Sequence, residues 1–138
     1  MRITVDTNIL VRAAIGGVDP ETEDGRQSAR AAELLRRADL VAIPAPVLCE
    51  FTWVLRRVYR HSAAEVAASI RKLCASEKVG CDYPAVEAGL DFLLAGGDFA
   101  DGVIAHMGRA MGAEVFFSFD QQAVRLLSER GHDAAVPV

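Results

Sequence analysis

The chain has 138 residues, of which 51% are hydrophobic and 25% charged, and fifteen Lys plus Arg against nineteen Asp plus Glu give a net charge of −4. This excludes whole-chain disorder, leaves little room for a second core, and argues against a protein built to coat DNA non-specifically. No run reaches the ~18 apolar residues needed to span a bilayer.

Ile3-Thr4-Val5 is a short β-rich run ending at Asp6, and Ile9, Leu10 and Ala13 predict a helix over 7–15. Residues 16–25, with three Gly, one Pro and four acids, read as a loop. Ala29, Ala32, Leu34 and Leu35 set between arginines predict an amphipathic helix over 26–38. Leu40 to Ile43 is a second strand, stopped by Pro44, and Pro46 opens a helix running to about Tyr59. Ser62 and Glu65 form a capping box for a helix ending near Ser76. Lys78 to Cys81 is a weak third strand, and helices follow over 84–94 and 99–111, each closed by Gly. Glu114 to Phe119 reads as the best strand, 121–130 as a helix, and Asp133 to Val138 as an edge strand.

Short apolar strands alternating with one or two helices predict a single α/β domain over 1–138 with a mostly parallel sheet. The N-terminus lacks the pattern of a secretory signal. Cys49, Cys74 and Cys81, odd in number and without CxxC spacing, read as reduced, mostly buried thiols of a cytoplasmic protein.

Ligands of parallel sheets bind beyond the carboxyl ends of the strands, which directs attention to the acids there. Asp6 ends the first strand and Asp120 ends the Phe-rich one. Each also precedes a helix, where an N-cap role would account for it. Asp98 suits an N-cap, and Asp101 lies in the first turn, about 100° from the centre of the apolar stripe of Phe99, Val103, Ile104 and Met107. Glu50 sits about 100° from a stripe through Val47, Phe51, Val54, Leu55 and Val58, and needs water or a partner. Carboxylates converging on one point repel unless a cation lies between them. An all-oxygen set favours Mg2+ or Mn2+ over zinc and supports phosphodiester hydrolysis with one or two ions.

Four blocks in order resemble the PIN-domain family and, within it, the VapC-type toxins of toxin–antitoxin pairs. They are Val5-Asp6-Thr7-Asn8-Ile9-Leu10, Pro44 to Glu50, Asp98 to Ala105, and Ser118-Phe119-Asp120. The resemblance implies a three-layer α/β/α domain with a central, mostly parallel sheet of four to five strands. It implies a Mg2+- or Mn2+-dependent ribonuclease whose catalytic and metal-binding acids are Asp6, Glu50, Asp101 and Asp120. Asp98, Asn8 and Ser118 would support them, Ser118 standing where Thr is usual, and Gly102 replaces the usual Ala. The implied partners are an RNA substrate, a cognate antitoxin and a second copy in a homodimer.

Thirteen of the fifteen bases are Arg, whose planar fork suits phosphate. Arg12, Arg56, Arg57 and Arg60 are candidate RNA-phosphate contacts, although cations also favour the end of a helix. Phe51, Trp53 and Tyr59 serve either the core or a partner groove. A phosphotransfer fold is disfavoured, since Asp6 has no acid within two residues and only Lys72 and Lys78 are present. A catalytically silent PIN-fold module binding RNA or protein stays open. Apart from Asp6, Glu50, Asp98, Asp101 and Asp120, fourteen acids face fifteen bases, so the remainder of the chain stands at +1 and is compatible with RNA.

Overall fold

The structure is a computed structural model that describes residues 1–17 and 19–138, and the chain divides into two units, Met1–Asp82 and Tyr83–Val138. The predicted loop over 16–25 includes Val18, which lies outside the described residues.

The first unit runs β1 (Arg2–Thr4), α1 (Thr7–Ile15), α2 (Glu23–Arg37), β2 (Leu40–Ala42), α3 (Ala45–Arg57), α4 (Ala63–Cys74) and β3 (Val79–Gly80). The strands form one parallel sheet in the order β1-β2-β3, with Ile3 beside Val41 and Val41 beside Val79. Parallel neighbours need a crossover, and a pair of helices supplies each one here. Val5, Leu10, Val41, Ile43, Leu48, Phe51, Leu55, Val66 and Ile70 are buried.

Local chemistry explains the helix ends. α2 begins three residues before the predicted start because Thr22 caps it, accepting from the Gly25 N–H at 3.0 Å, and Glu23 and Asp24 occupy the first turn. The capping box of α4 forms as expected, with the Glu65 N–H donating to Ser62 Oγ at 3.1 Å and the Ser62 N–H to Glu65 Oε1 at 3.2 Å. These bonds hold the Glu65 carboxyl below its usual range. α3 ends with Arg60 at φ 56 and the His61 N–H bonded to the Leu55 carbonyl at 2.9 Å. Glycine is the usual occupant of that left-handed position.

The buried face of α3 is Leu48, Phe51, Thr52 and Leu55, rotated from the predicted stripe. Val58 is 59% exposed and Trp53 58%. Of the three aromatics read as core or partner surface, Phe51 is core, whereas Trp53 and Tyr59 are exposed.

The second unit runs α5 (Tyr83–Leu94), α6 (Phe99–Ala110), β4 (Phe116–Phe117), α7 (Gln121–Glu129) and β5 (Ala134–Ala135). β4 and β5 pair in parallel, Phe116 with Ala134 and Phe117 with Ala135. The strand expected over Glu114 to Phe119 is only two residues long, because β5 offers it only two ladder partners. Phe117 and Phe119 are exposed. The described strands all pair in parallel, three in the first unit and two in the second, as expected of an α/β fold with mostly parallel strands.

Phe92, Ala105, Ala123, Leu126 and Leu127 form a core cluster in this unit. α5 and α6 approach closely through two glycines. A Cβ on Gly89 would lie 2.6 Å from the Phe99 ring, and one on Gly102 would lie 2.6 Å from the Ala88 carbonyl oxygen and 3.0 Å from Gly89 Cα. The buried residues of α6 are consequently Phe99, Gly102, Val103 and Ala105, while Ile104 is exposed. No helix among the described residues is long and apolar enough to cross a membrane.

The Gly102 contact gives a test with a definite sign. Alanine there gains about 1 kcal/mol in helix propensity, but overpacking against backbone costs about 1–3 kcal/mol. Gly102→Ala is expected to lower the denaturation midpoint; an unchanged or raised midpoint contradicts the close approach.

Candidate functional site

In the first unit, Asp6 lies two residues beyond β1 and caps α1, its Oδ1 accepting from the Thr7 N–H at 2.7 Å. Thr7 is buried, and its hydroxyl donates to Glu50 Oε2 at 2.8 Å. Thr7 thus binds the acid that follows β1 through its backbone and the acid on α3 through its side chain. Sequence reasoning singled out both acids and missed this residue. The available signal was a small hydroxyl directly after a strand-end acid, in a helix whose next buried positions are Leu10 and Val11.

Asn8 lines a groove of about 480 Å³ with Arg12, Gln27 and Arg30. Arg12 is engaged on two sides, pairing with Asp24 at 3.0 Å and donating to Gln27 Oε1 at 3.0 Å. Arg56 donates to the His61 carbonyl at 3.2 Å, whereas the exposed Arg57 and Arg60 have no side-chain partner among the described residues. Cys74 and Cys81 form no disulfide, and their Sγ atoms lie 3.6 Å apart, a proximity that spacing alone did not reveal.

In the second unit three carboxylates are gathered by helix starts. Asp98 caps α6, accepting from the Ala100 N–H at 3.1 Å. Asp120 caps α7, its Oδ1 accepting from the N–H groups of Gln122 at 3.0 Å and Ala123 at 3.2 Å. Ser118 Oγ accepts from the Asp120 N–H at 3.0 Å, a bond to the backbone of the capping residue. Gln122 Nε2 donates to the Gly96 carbonyl at 3.0 Å and ties the start of α7 to the turn before Asp98. That turn needs glycine, since Gly96 has φ 97 and a Cβ on Gly97 would lie 2.7 Å from Phe92 and 2.8 Å from Leu126.

Asp101 is half-buried in the first turn of α6. Its carboxyl is pushed above the usual aspartate range, first by burial and then by the negative charges of Asp98 and Asp120. Like charges held this way favour a proton or a cation between them. The donor set is all oxygen and fits a hard divalent ion by type. Among the described residues, no three His, Cys, Asp or Glu side chains gather closely enough to hold an ion as they stand. Asp101 therefore holds its proton more readily than an ordinary aspartate.

The shift has a consequence for stability. A folded-state pKa raised above the unfolded value means that the folded chain holds the Asp101 proton more tightly, so this stabilisation is complete below the ordinary aspartate range and is lost as pH rises through the raised pKa. In metal-free buffer, Asp101→Asn is expected to raise the melting temperature at neutral pH, with the gain vanishing towards low pH. Equal melting curves at pH 7 contradict the crowding of charge.

A family model described as the PIN domain matches residues 3–127, a span that draws on both units. No curated protein matches the chain well enough to name a relative. The matched span covers most of the sequence and includes every one of the acids above, so the chain belongs to the PIN-domain family, a fold of the nuclease type.

Proposed function

We propose that this chain is a Mg2+- or Mn2+-dependent endoribonuclease and the toxin of a toxin–antitoxin pair. The observation that carries the reading is the half-buried Asp101, whose negative charge is disfavoured by Asp98 and Asp120 beside it in a chain of a nuclease-type family. One or two bound ions would lower the pKa of an attacking water and stabilise the leaving oxygen of the phosphodiester. Asp101 and Asp120 would supply carboxylate oxygens to such an ion, and Asp98 would add negative charge beside them. Asp120 keeps its second oxygen free, because both of its cap bonds fall on Oδ1. Glu50 is oriented through Oε2 by the Thr7 hydroxyl, which leaves Oε1 to accept a proton from water. The assignment of Asp6 and Glu50 to the same reaction as Asp101 and Asp120, and of one domain to the whole chain, rests on the four sequence blocks.

Arg57 and Arg60, unpaired at the end of α3, are proposed to hold RNA phosphates, while Arg12 and Arg56 already serve neighbours within the chain. The exposed Trp53, Val58 and Tyr59 support a protein partner on α3, either the antitoxin or a second copy in a homodimer. The cytoplasm is the compartment proposed for all of these partners.

Cleavage of an RNA substrate in Mg2+ or Mn2+ tests the activity. Cleavage is expected to stop in EDTA and to fall at least about 100-fold in Asp6→Ala and in Asp101→Ala. Cleavage that persists in EDTA, or in both variants, sinks the metal-site reading. RNA binding without cleavage in either metal would replace it with the silent module. Separately, Arg57→Glu with Arg60→Glu is expected to weaken RNA binding and to reduce the salt slope by about 2; an unchanged slope removes those arginines from the interface.

A further inference from the structure

A cavity of about 410 Å³ opens in the second unit between α5, α6, α7 and the turn that follows α7. Its floor is apolar and includes Phe92, Ala105 and Leu127. Its polar wall sets Arg109, Arg130, His106 and His132 against one carboxylate, Asp91. Two of the three histidines in the chain therefore share this wall.

The one carboxylate is already engaged. Arg130 Nε donates to Asp91 Oδ2 at 2.5 Å, and Arg130 Nη1 donates to the Leu126 carbonyl at 3.3 Å. Arg130 is thereby fixed as part of the wall. Arg109 Nη1 hydrogen-bonds to His132 Nδ1. An accepting Nδ1 puts the proton of the neutral ring on Nε2, so His132 keeps a donor, and Arg109 keeps the rest of its fork. The His106 side chain has no hydrogen bond or ion pair among the described residues. Glu114 and Asp133 line a smaller neighbouring cavity of about 210 Å³ that shares Arg109 and His132. Neither acid forms an ion pair with Arg109 among the described residues. The wall therefore has donors and positive charge in excess of its acceptors.

We propose that this cavity binds a phosphate monoester of nucleotide size, with the phosphate on Arg109, His132 and His106 and the organic body on the apolar floor. A guanidinium fork and imidazole N–H groups match the oxygens of a tetrahedral anion. The volume lies within the range of small-molecule sites, and the mixture of an apolar floor with a few polar groups is typical of them. The same phosphate could belong to a free nucleoside monophosphate or to the 5′-phosphorylated end of an RNA. The site requires neither the acids nor a metal ion, so it stands or falls apart from the nuclease reading.

Calorimetric titration of the full chain in EDTA tests it, with uridine 5′-monophosphate, adenosine 5′-monophosphate, uridine, and a short RNA bearing either a 5′-phosphate or a 5′-hydroxyl. At least one monophosphate is expected to saturate, uridine is not, and the ring signals of His106 and His132 should move with the titration. Arg109→Gln is expected to weaken binding at least tenfold, and His132→Gln to weaken it as well, with melting temperatures confirming that both variants fold. Much tighter binding of the 5′-phosphorylated RNA than of its 5′-hydroxyl form and of the mononucleotides assigns the site to an RNA end; otherwise saturation by a mononucleotide assigns it to free nucleotide. No saturation by any phosphorylated ligand up to about 10 mM, uridine binding as well as its monophosphate, or undiminished binding by both variants overturns the proposal.

Discussion

Backbone N–H groups at the first turns of α1, α6 and α7 hold three of the five candidate acids, Asp6, Asp98 and Asp120. The same hydrogen bonds do two things. They start helices directly after strands or tight turns, and they fix the orientation of the capping carboxylates. A capping aspartate is stabilised by the N–H groups and the helix dipole, so it can stay charged at little cost. Asp101 lies in the first turn of α6 but accepts no cap bond among the described residues. It is half-buried with Asp98 and Asp120 for neighbours, and burial together with their charges disfavours its negative form. The starts of α6 and α7 thus bring two negative charges up to Asp101.

The surroundings keep those charges together. Gln122 bonds to the Gly96 carbonyl, Gly97 lets the turn approach Phe92 and Leu126, and Gly102 lets α6 lie against α5. In the first unit Thr7 performs the comparable task, linking to Asp6 through its backbone and to Glu50 through its hydroxyl. Glu50, an acid with exposed surroundings on α3, finds its partner in the residue that follows the cap. These supporting groups carry no charge themselves, and at Gly97 and Gly102 a side chain would block the close approach.

Most of the helices were legible because caps and periodicity are local. The capping box at Ser62 and Glu65 and the helix starts at Asp6, Asp98 and Asp120 follow from side chains within three residues of each end. Of the four acids named by the family blocks, Asp6 and Asp120 cap helices and Asp101 lies in a first turn, placements that local sequence predicts, whereas Glu50 sits within α3. What was not legible depended on distant partners. Glu114 to Phe119 looks like a strong strand, yet pairing with Ala134–Ala135 limits it to Phe116–Phe117. Ile104 fits an apolar stripe but is exposed, while Gly102, invisible to hydropathy, is buried by the approach of α5. Thr7 and Gln122 were missed for the same reason, since a hydroxyl or an amide acquires its role only from the partner the fold brings to it.

The central claim is that the charge crowded at Asp101 is the demand a divalent ion answers. Calorimetric titration with Mn2+ at neutral pH, comparing the native chain with Asp101→Asn, measures that directly. The account predicts saturable binding by the native chain and an affinity at least about tenfold weaker in the variant. Equal affinity in the two proteins, or no binding by the native chain, would contradict it.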